Sequence, residues 1–126
     1  DYSDYVEIAR NAGAGETLDR IIPEIYNEAM FPGTAMLYSF PSYVYSLWQE
    51  YSVEELEYIA SFCKEKGIPA ATVYWEYWSE ETEKIFEKNG ISLYVYTVND
   101  RDQARRYISQ GAEGICTDFL TAEDLW

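Results

Sequence analysis

The last third of the chain opens with Ser92-Leu-Tyr-Val-Tyr-Thr-Val98, and this β-branched and aromatic run predicts a strand. Asn99-Asp100 ends the run, and residues 100–110 predict a short capped helix. Gly111 ends that helix, and Glu113-Gly-Ile-Cys-Thr-Asp118 predicts a second buried strand. A strand, a helix and a strand within about thirty residues indicate the βαβ unit of a parallel sheet.

The middle of the chain continues this alternation. Ser52 and Glu55 have the spacing of a capping box, and Gly67 supplies a stop, so the sequence predicts a helix over residues 53–66. Its apolar stripe contains Leu56, Ile59, Ala60 and Cys63. A strand is predicted over residues 70–75 and a further helix over residues 79–88.

The first fifty residues are less regular. Tyr5, Ile8 and Ala9 have helical spacing and predict an amphipathic helix over residues 4–10. Residues 21–27 predict a strand at a sheet edge, because Pro23 cannot donate to a ladder. Residues 27–37 predict a short helix broken by Pro32-Gly33, and residues 42–48 predict a strand. The five strands predict an α/β fold with a parallel sheet, and we treat residues 1–126 as a single unit.

The composition excludes several classes of function. Nine basic residues against 23 acidic ones give a net charge of -14, which argues against nucleic-acid binding, since phosphate contacts need clustered Lys and Arg. The acidic surface also repels phosphodiesters unless a cation intervenes. No apolar run approaches the ~18 residues of a membrane span. Cys63 and Cys116 lack metal-type spacing, and we predict that both are small buried residues. Nothing indicates the compartment.

Two segments carry a resemblance to a known family. Tyr94-Val-Tyr-Thr-Val-Asn-Asp100 and Gly111-Ala-Glu-Gly-Ile-Cys-Thr-Asp-Phe119 resemble the end of the glycerophosphodiester phosphodiesterase family, in the PI-PLC-like phosphodiesterase superfamily. The family pattern is an aromatic-Thr-Val-Asn strand end followed by Gly-x-x-Gly-Ile-x-Thr-Asp. Tyr96 stands where tryptophan is commoner, and Leu120 where proline usually follows.

The family fold is a (β/α)8 TIM barrel, and the resemblance implies that the five strands are its fourth to eighth. A complete barrel needs roughly 200 residues or more, so we expect a partial barrel. The first residue, Asp1, is consistent with a fragment or processed product. The segments over residues 21–27 and 42–48 are similar to a subgroup of uncharacterised bacterial members.

The resemblance implies the C-terminal part of a hydrolase of lipid metabolism that cleaves glycerol phosphodiesters. Family members use two histidines and a carboxylate cluster that holds a divalent cation, Ca²⁺ or Mg²⁺, on the first three strands. This chain contains no histidine, so no catalytic or metal-binding residue is carried over. We therefore predict that the chain alone is inactive, because the usual acid–base group near neutral pH is missing.

The resemblance leaves the substrate pocket, at the carboxyl ends of the strands, as this chain's contribution. Tyr96 matches the family's aromatic on the glycerol side, while Glu24, Tyr26 and Tyr45 are candidates by strand position only. Aromatic residues on strands are more often core than ligand platforms. Asn99-Asp100 is equally typical of a helix cap, and Thr117-Asp118 of a strand end whose side chains satisfy backbone donors.

Two further patterns leave alternatives open. The carboxylates of Glu76, Glu80, Glu81 and Glu83 suggest cation binding, but acidic residues in a first helical turn ordinarily complement the helix dipole. A partial barrel exposes strand edges that pair either with the missing N-terminal barrel portion or with a second copy of the chain. The second hypothesis is therefore a non-catalytic interaction or ligand-binding module. Its thirteen tyrosines and four tryptophans suit either a core or a binding face.

Overall fold

A computed structural model describes residues 1–126 and shows one five-stranded parallel sheet whose strands lie in chain order. The strands are β1 (Glu24–Ile25), β2 (Val44–Leu47), β3 (Ala70–Tyr74), β4 (Ser92–Tyr96) and β5 (Gly114–Ile115). The helices are α1 (Tyr2–Asn11), α2 (Met30–Leu37), α3 (Val53–Lys66), α4 (Glu80–Lys88), α5 (Arg101–Ser109) and α6 (Ala122–Leu125). Short 3-10 turns span Gly15–Arg20 and Trp75–Tyr77. The predicted α/β class and parallel sheet are confirmed.

The two faces of the sheet differ, because successive side chains of a strand point to opposite sides. One face packs against the helices and forms the main core, with Tyr45, Leu47, Ala71, Val73, Leu93 and Val95 from the strands. The helix α3 contributes the four residues of its predicted stripe, all buried. The opposite side of the sheet, called the inner face below, carries Glu24, Ser46, Thr72, Tyr74, Tyr94 and Tyr96.

Capping side chains define the helix ends. Ser52 accepts a hydrogen bond from the Glu55 N–H, and the Glu55 carboxylate accepts one from the Ser52 N–H at 2.7 Å, which completes the predicted capping box. Gly67 ends α3 with a φ of 70°, in the left-handed region that suits glycine. Asp100 caps α5 by accepting from the Gln103 N–H at 2.7 Å.

Three local predictions are wrong. The helix α2 is continuous, because Pro32 lies in its first turn, where the missing N–H would have had no partner in the helix. In α1 the buried residue is Val6, whereas Tyr5 and Ile8 are exposed. Cys63 is buried as predicted but Cys116 is exposed, since it follows the short edge strand β5.

The sheet is open at both sides. β1 and β5 each have one neighbour, and β1 is the end strand that Pro23 predicted. On the outer side of β1, the Tyr2 hydroxyl accepts from the Glu24 N–H at 2.6 Å and donates to the Glu24 carbonyl oxygen at 3.1 Å. One exposed backbone site of the edge is thereby covered. None of the helices has the length and apolar character that a membrane crossing requires.

Candidate functional site

The candidate site lies at the carboxyl ends of β1 and β2, on the inner face. Glu24, Tyr26, Ser46 and Trp48 line a cavity of about 360 Å³ there. Ser46 is buried, whereas Tyr26 and Trp48 are 51% and 54% exposed. The parallel register explains the grouping, because Glu24 pairs with Val44 and the residues two positions further along each strand then lie on the same side. The cavity combines one carboxylate, the hydroxyl groups of Ser46 and Tyr26, and two aromatic side chains.

Tyr96 lies on the same face, at the end of β4. Its hydroxyl lies 3.4 Å from the Ser46 Oγ, which donates to it, and 3.3 Å from the Leu47 carbonyl oxygen, to which it donates. Its ring packs against Tyr74 with the centroids 5.8 Å apart. The structure therefore brings three of the predicted site residues, Glu24, Tyr26 and Tyr96, to one face, and Ser46 connects them.

Tyr45 does not join them. Its ring is buried among the helices, and its hydroxyl donates to the Glu28 carboxylate at 3.1 Å. Burial, followed by the charge of Glu28, raises the pKa of Tyr45 far above its ordinary value of 10.0, so the hydroxyl stays protonated. The geometry corrects the placement of Tyr45 on the pocket wall, because residue 45 has the opposite strand parity to Ser46.

Glu24 on the first strand and Cys116 after the last strand influence each other electrostatically. β1 and β5 are separated by three strands, yet the Glu24 carboxylate is near enough to help raise the pKa of the Cys116 thiol, after the larger effect of partial burial. On the same face the Tyr94 ring of β4 lies over Gly114 of β5, where an added Cβ would come within 2.8 Å of the ring. Gly114 thus makes room for a tyrosine on the inner face of the sheet.

The ends of β4 and β5 are tied together by Asn99. Its Oδ1 accepts from the Thr117 hydroxyl and from the Asp118 N–H, both at 2.9 Å, and its Nδ2 donates to the Asp118 carboxylate at 2.8 Å. Thr117 Oγ1 in turn accepts from the Leu120 N–H at 3.2 Å. Thr117 thus satisfies backbone donors at the strand end, which is one of the alternatives that the sequence left open, whereas the link from Asn99 to Asp118 was not predicted.

A sequence model described as the glycerophosphoryl diester phosphodiesterase family matches residues 34–122, which is more than half of the chain. The chain belongs to this family. A search of curated protein sequences finds no match. Both motifs that carried the resemblance, residues 94–100 and residues 111–119, lie entirely inside the matched range.

Solved structures show that the phosphodiesterase resemblance extends to the fold. A crystal structure of a putative glycerophosphoryl diester phosphodiesterase from Silicibacter pomeroyi matches with a TM-score of 0.68 and 16% identity, over 93% of this chain and 41% of that one. A glycerophosphodiester phosphodiesterase from Parabacteroides distasonis matches with a TM-score of 0.61 and 18% identity, over 92% and 47%. The chain spans less than half of either protein. The open sheet corresponds to part of a TIM barrel.

The residues of this phosphodiesterase-family chain do not fit a divalent cation. No group of three or more His, Cys, Asp or Glu side chains is arranged to hold one. Glu80, Glu81 and Glu83 lie in the first turn of α4, where carboxylates complement the helix dipole. Burial, followed by the neighbouring Glu87, raises the pKa of Glu83. We therefore assign no step through a metal to these side chains.

Two residues of the candidate site of this family member were missed from the sequence. Ser46 and Trp48 line the cavity, whereas the prediction chose Tyr45 from the same strand. The available signal was Ser46 itself, a small polar residue between the apolar Tyr45 and Leu47. In a half-buried strand such a residue indicates the side that faces away from the main core.

Proposed function

We propose that this chain forms the closing arc of a phosphodiesterase barrel and supplies the wall and substrate pocket of an enzyme that hydrolyses glycerol phosphodiesters. The observation that carries the proposal is the inner face. An open sheet presents a cavity lined by Glu24, Ser46 and Trp48 at the strand ends, where the active sites of such barrels lie.

The chemistry of the cavity suits a glycerol or alcohol portion of the substrate. Ser46 and the tyrosine hydroxyls hydrogen-bond to hydroxyl groups, and Trp48 offers an apolar surface. Glu24 carries a negative charge, and neither Lys nor Arg lines the cavity. An anionic phosphoryl group would be repelled there, so it must lie further along the barrel interior, near positive groups that this chain does not provide.

Acid–base and metal chemistry belong, in this proposal, to residues outside these 126. The chain has no histidine and no constellation for Ca²⁺ or Mg²⁺. The partner that completes the site is an N-terminal barrel portion bearing His-Arg-Gly and Glu-x-Asp motifs. We expect the purified chain alone to show no hydrolysis of glycerol phosphodiesters.

The test is a chimaera that joins the first three strands and helices of a family member to Asp1. We expect it to release glycerol phosphate from a glycerophosphodiester when Mg²⁺ or Ca²⁺ is present. Tyr96→Phe and Trp48→Ala should raise KM, while Trp126→Ala, which changes an exposed residue outside the cavity, should not. Hydrolysis by the histidine-free chain alone, or a chimaera that is indifferent to the cavity variants, would refute the assignment.

The second candidate function is a non-catalytic module that associates with a second copy of itself. The observation that favours it is an exposed, partly apolar surface beside β1, whose lining includes Tyr5, which is 60% exposed, and Tyr26, which is 51% exposed. A groove of about 1030 Å³ runs along this edge. Sedimentation velocity across micromolar concentrations tests this second candidate function, because a monomer at every concentration contradicts self-association.

A further inference from the structure

A second cavity lies at the same end of the sheet but outside the inner face, between the loop after β1 and the start of α3. Its volume is about 790 Å³. Five aromatic side chains line it, three of them exposed: Tyr26, Trp48 and Tyr58. Tyr26 and Trp48 also line the inner cavity, so the two spaces share a rim.

The charge of this outer cavity has one sign. Its twelve lining residues include Glu28, Glu54 and Glu55, and they include no Lys, Arg or His. The one ion pair of the protein joins Lys66 to its sequence neighbour Glu65, so none of the three carboxylates is paired with a cation. The Glu55 carboxylate is bound to the Ser52 N–H, while Glu28 accepts a hydrogen bond from Tyr45. Three carboxylates outweigh the roughly half-unit positive charge of the α3 N-terminus that borders the cavity.

We propose that this outer cavity binds a small organic cation of the quaternary ammonium class. Aromatic faces attract such cations through the ring quadrupole, and their methyl groups are accommodated by the apolar rims of Trp48 and the tyrosines. A metal ion is a poorer occupant, because no three His, Cys, Asp or Glu side chains here could hold one. The partly buried Glu28 supplies the counter-charge, held in place by Tyr45 from the core.

The inference is independent of the phosphodiesterase proposal, since it needs neither the barrel's other half nor any hydrolysis. The probe is tetramethylammonium chloride, titrated calorimetrically into the full chain against NaCl at constant ionic strength. We expect saturable binding with a Kd of about 1 mM or tighter. Neopentyl alcohol, of similar shape and no charge, should bind at least about tenfold more weakly.

Matched variants assign the binding to the cavity. Trp48→Ala should weaken tetramethylammonium binding by about tenfold, and Trp48→Phe by less. Glu28→Gln keeps an acceptor for Tyr45 but removes the charge, and should weaken binding by about threefold or more. Trp126→Ala should leave Kd unchanged, because Trp126 is not among the residues that line the cavity. Circular dichroism shows whether each variant is folded.

Either of two results overturns the proposal: equal binding of the neutral alcohol, or tetramethylammonium binding that survives in both Trp48→Ala and Glu28→Gln. Phosphatidylcholine vesicles form a separate arm. Sedimentation of the chain with vesicles, reversed by tetramethylammonium, identifies a lipid headgroup as the source of the cation. Tetramethylammonium binding without vesicle binding identifies a free cation.

Discussion

Asn99 holds the carboxyl ends of β4 and β5 together through three hydrogen bonds to Thr117 and Asp118. Asn99→Ala leaves those groups to water, and we expect the free energy of unfolding to fall by about 1–2 kcal/mol. Urea denaturation followed by circular dichroism measures the change. Asn11→Ala, at the exposed end of α1, is the matched control and should change stability little. Equal effects of both substitutions would show that the Asn99 contacts do not stabilise the fold.

Cys116 reports on the charge of Glu24, which lies on a different strand. Partial burial and then Glu24 raise its pKa above the ordinary 9.0, so its thiolate fraction at pH 8 is smaller than that of a free thiol. Glu24→Gln removes the second effect, and iodoacetamide labelling at pH 8 should become faster, by less than about threefold. Glu57→Gln, on α3, should not change the rate. Cys63 should stay unlabelled, because burial raises its pKa to about 12.

The individual site residues were only partly predictable. The structural role of Thr117, which accepts from nearby backbone N–H groups, was among the alternatives that the sequence contained. The link from Asn99 to Thr117 and Asp118 spans 18 and 19 residues, so local sequence could not indicate it. Alternate residues of β2 point to opposite faces of the sheet, so the choice between Tyr45 and Ser46 depends on which of the two sets faces the helices. Residues 43–48 are aromatic or aliphatic on both parities except at Ser46, so alternation gave almost no signal.

At the level of elements, α3 depends on its capping box. Ser52→Ala removes the acceptor for the Glu55 N–H, and we expect the free energy of unfolding to fall by about 1 kcal/mol. Ser61→Ala, on the exposed side of the same helix, is the control and should be neutral or slightly stabilising. Thermal or urea unfolding distinguishes them, and equal losses would contradict the capping role.

The same box gives α3 a dependence on pH. Hydrogen bonds from the Ser52 backbone and then its side chain lower the pKa of Glu55 below its ordinary 4.5. A lowered folded-state pKa stabilises the native state above the unfolded value and loses that effect as pH falls through the folded value. The stability difference between the native chain and Glu55→Gln should therefore be present at pH 7 and shrink below about pH 4. A difference that is constant from pH 7 to pH 3 would contradict this.

Elements were predicted well where local chemistry and packing agree. The cap, stripe and stop of α3 all lie within the sixteen residues from Ser52 to Gly67 and match the structure. The failures have tertiary causes. Tyr5 and Ile8 have helical spacing, but the face of α1 that meets the small cluster of Val6, Leu18 and Phe40 is set by residues outside the helix. Pro32 was predicted to break the helix because the helix was placed from residue 27, which puts the proline in its interior. The helix α2 begins at Met30, so Pro32 lies in its first turn.

At the scale of the whole molecule, the order of strands followed from the regular alternation of strand and helix, since such connections place successive parallel strands side by side. The shape of the inner face did not follow from that alternation, because it depends on contacts between strands, such as the packing of Tyr94 over Gly114. The open edges have one local safeguard in the Tyr2 hydroxyl. Charge opposes pairing between the edges of two copies more broadly, since copies that each carry a net charge of -14 repel one another.

This charge predicts how the molecule responds to salt. Twenty-three carboxylates face nine basic groups, and one exposed ion pair between neighbours stabilises little. Raising NaCl from about 0.02 to about 0.5 M at pH 7 screens the repulsion within and between copies. We expect the midpoint of urea denaturation to rise. Any self-association through the β1 edge should strengthen, and sedimentation velocity measures that change. Near the isoelectric point of about 4.1 the repulsion vanishes, so the same salt step should shift the midpoint much less. An equal shift at both pH values would show that repulsion among the carboxylates does not limit stability.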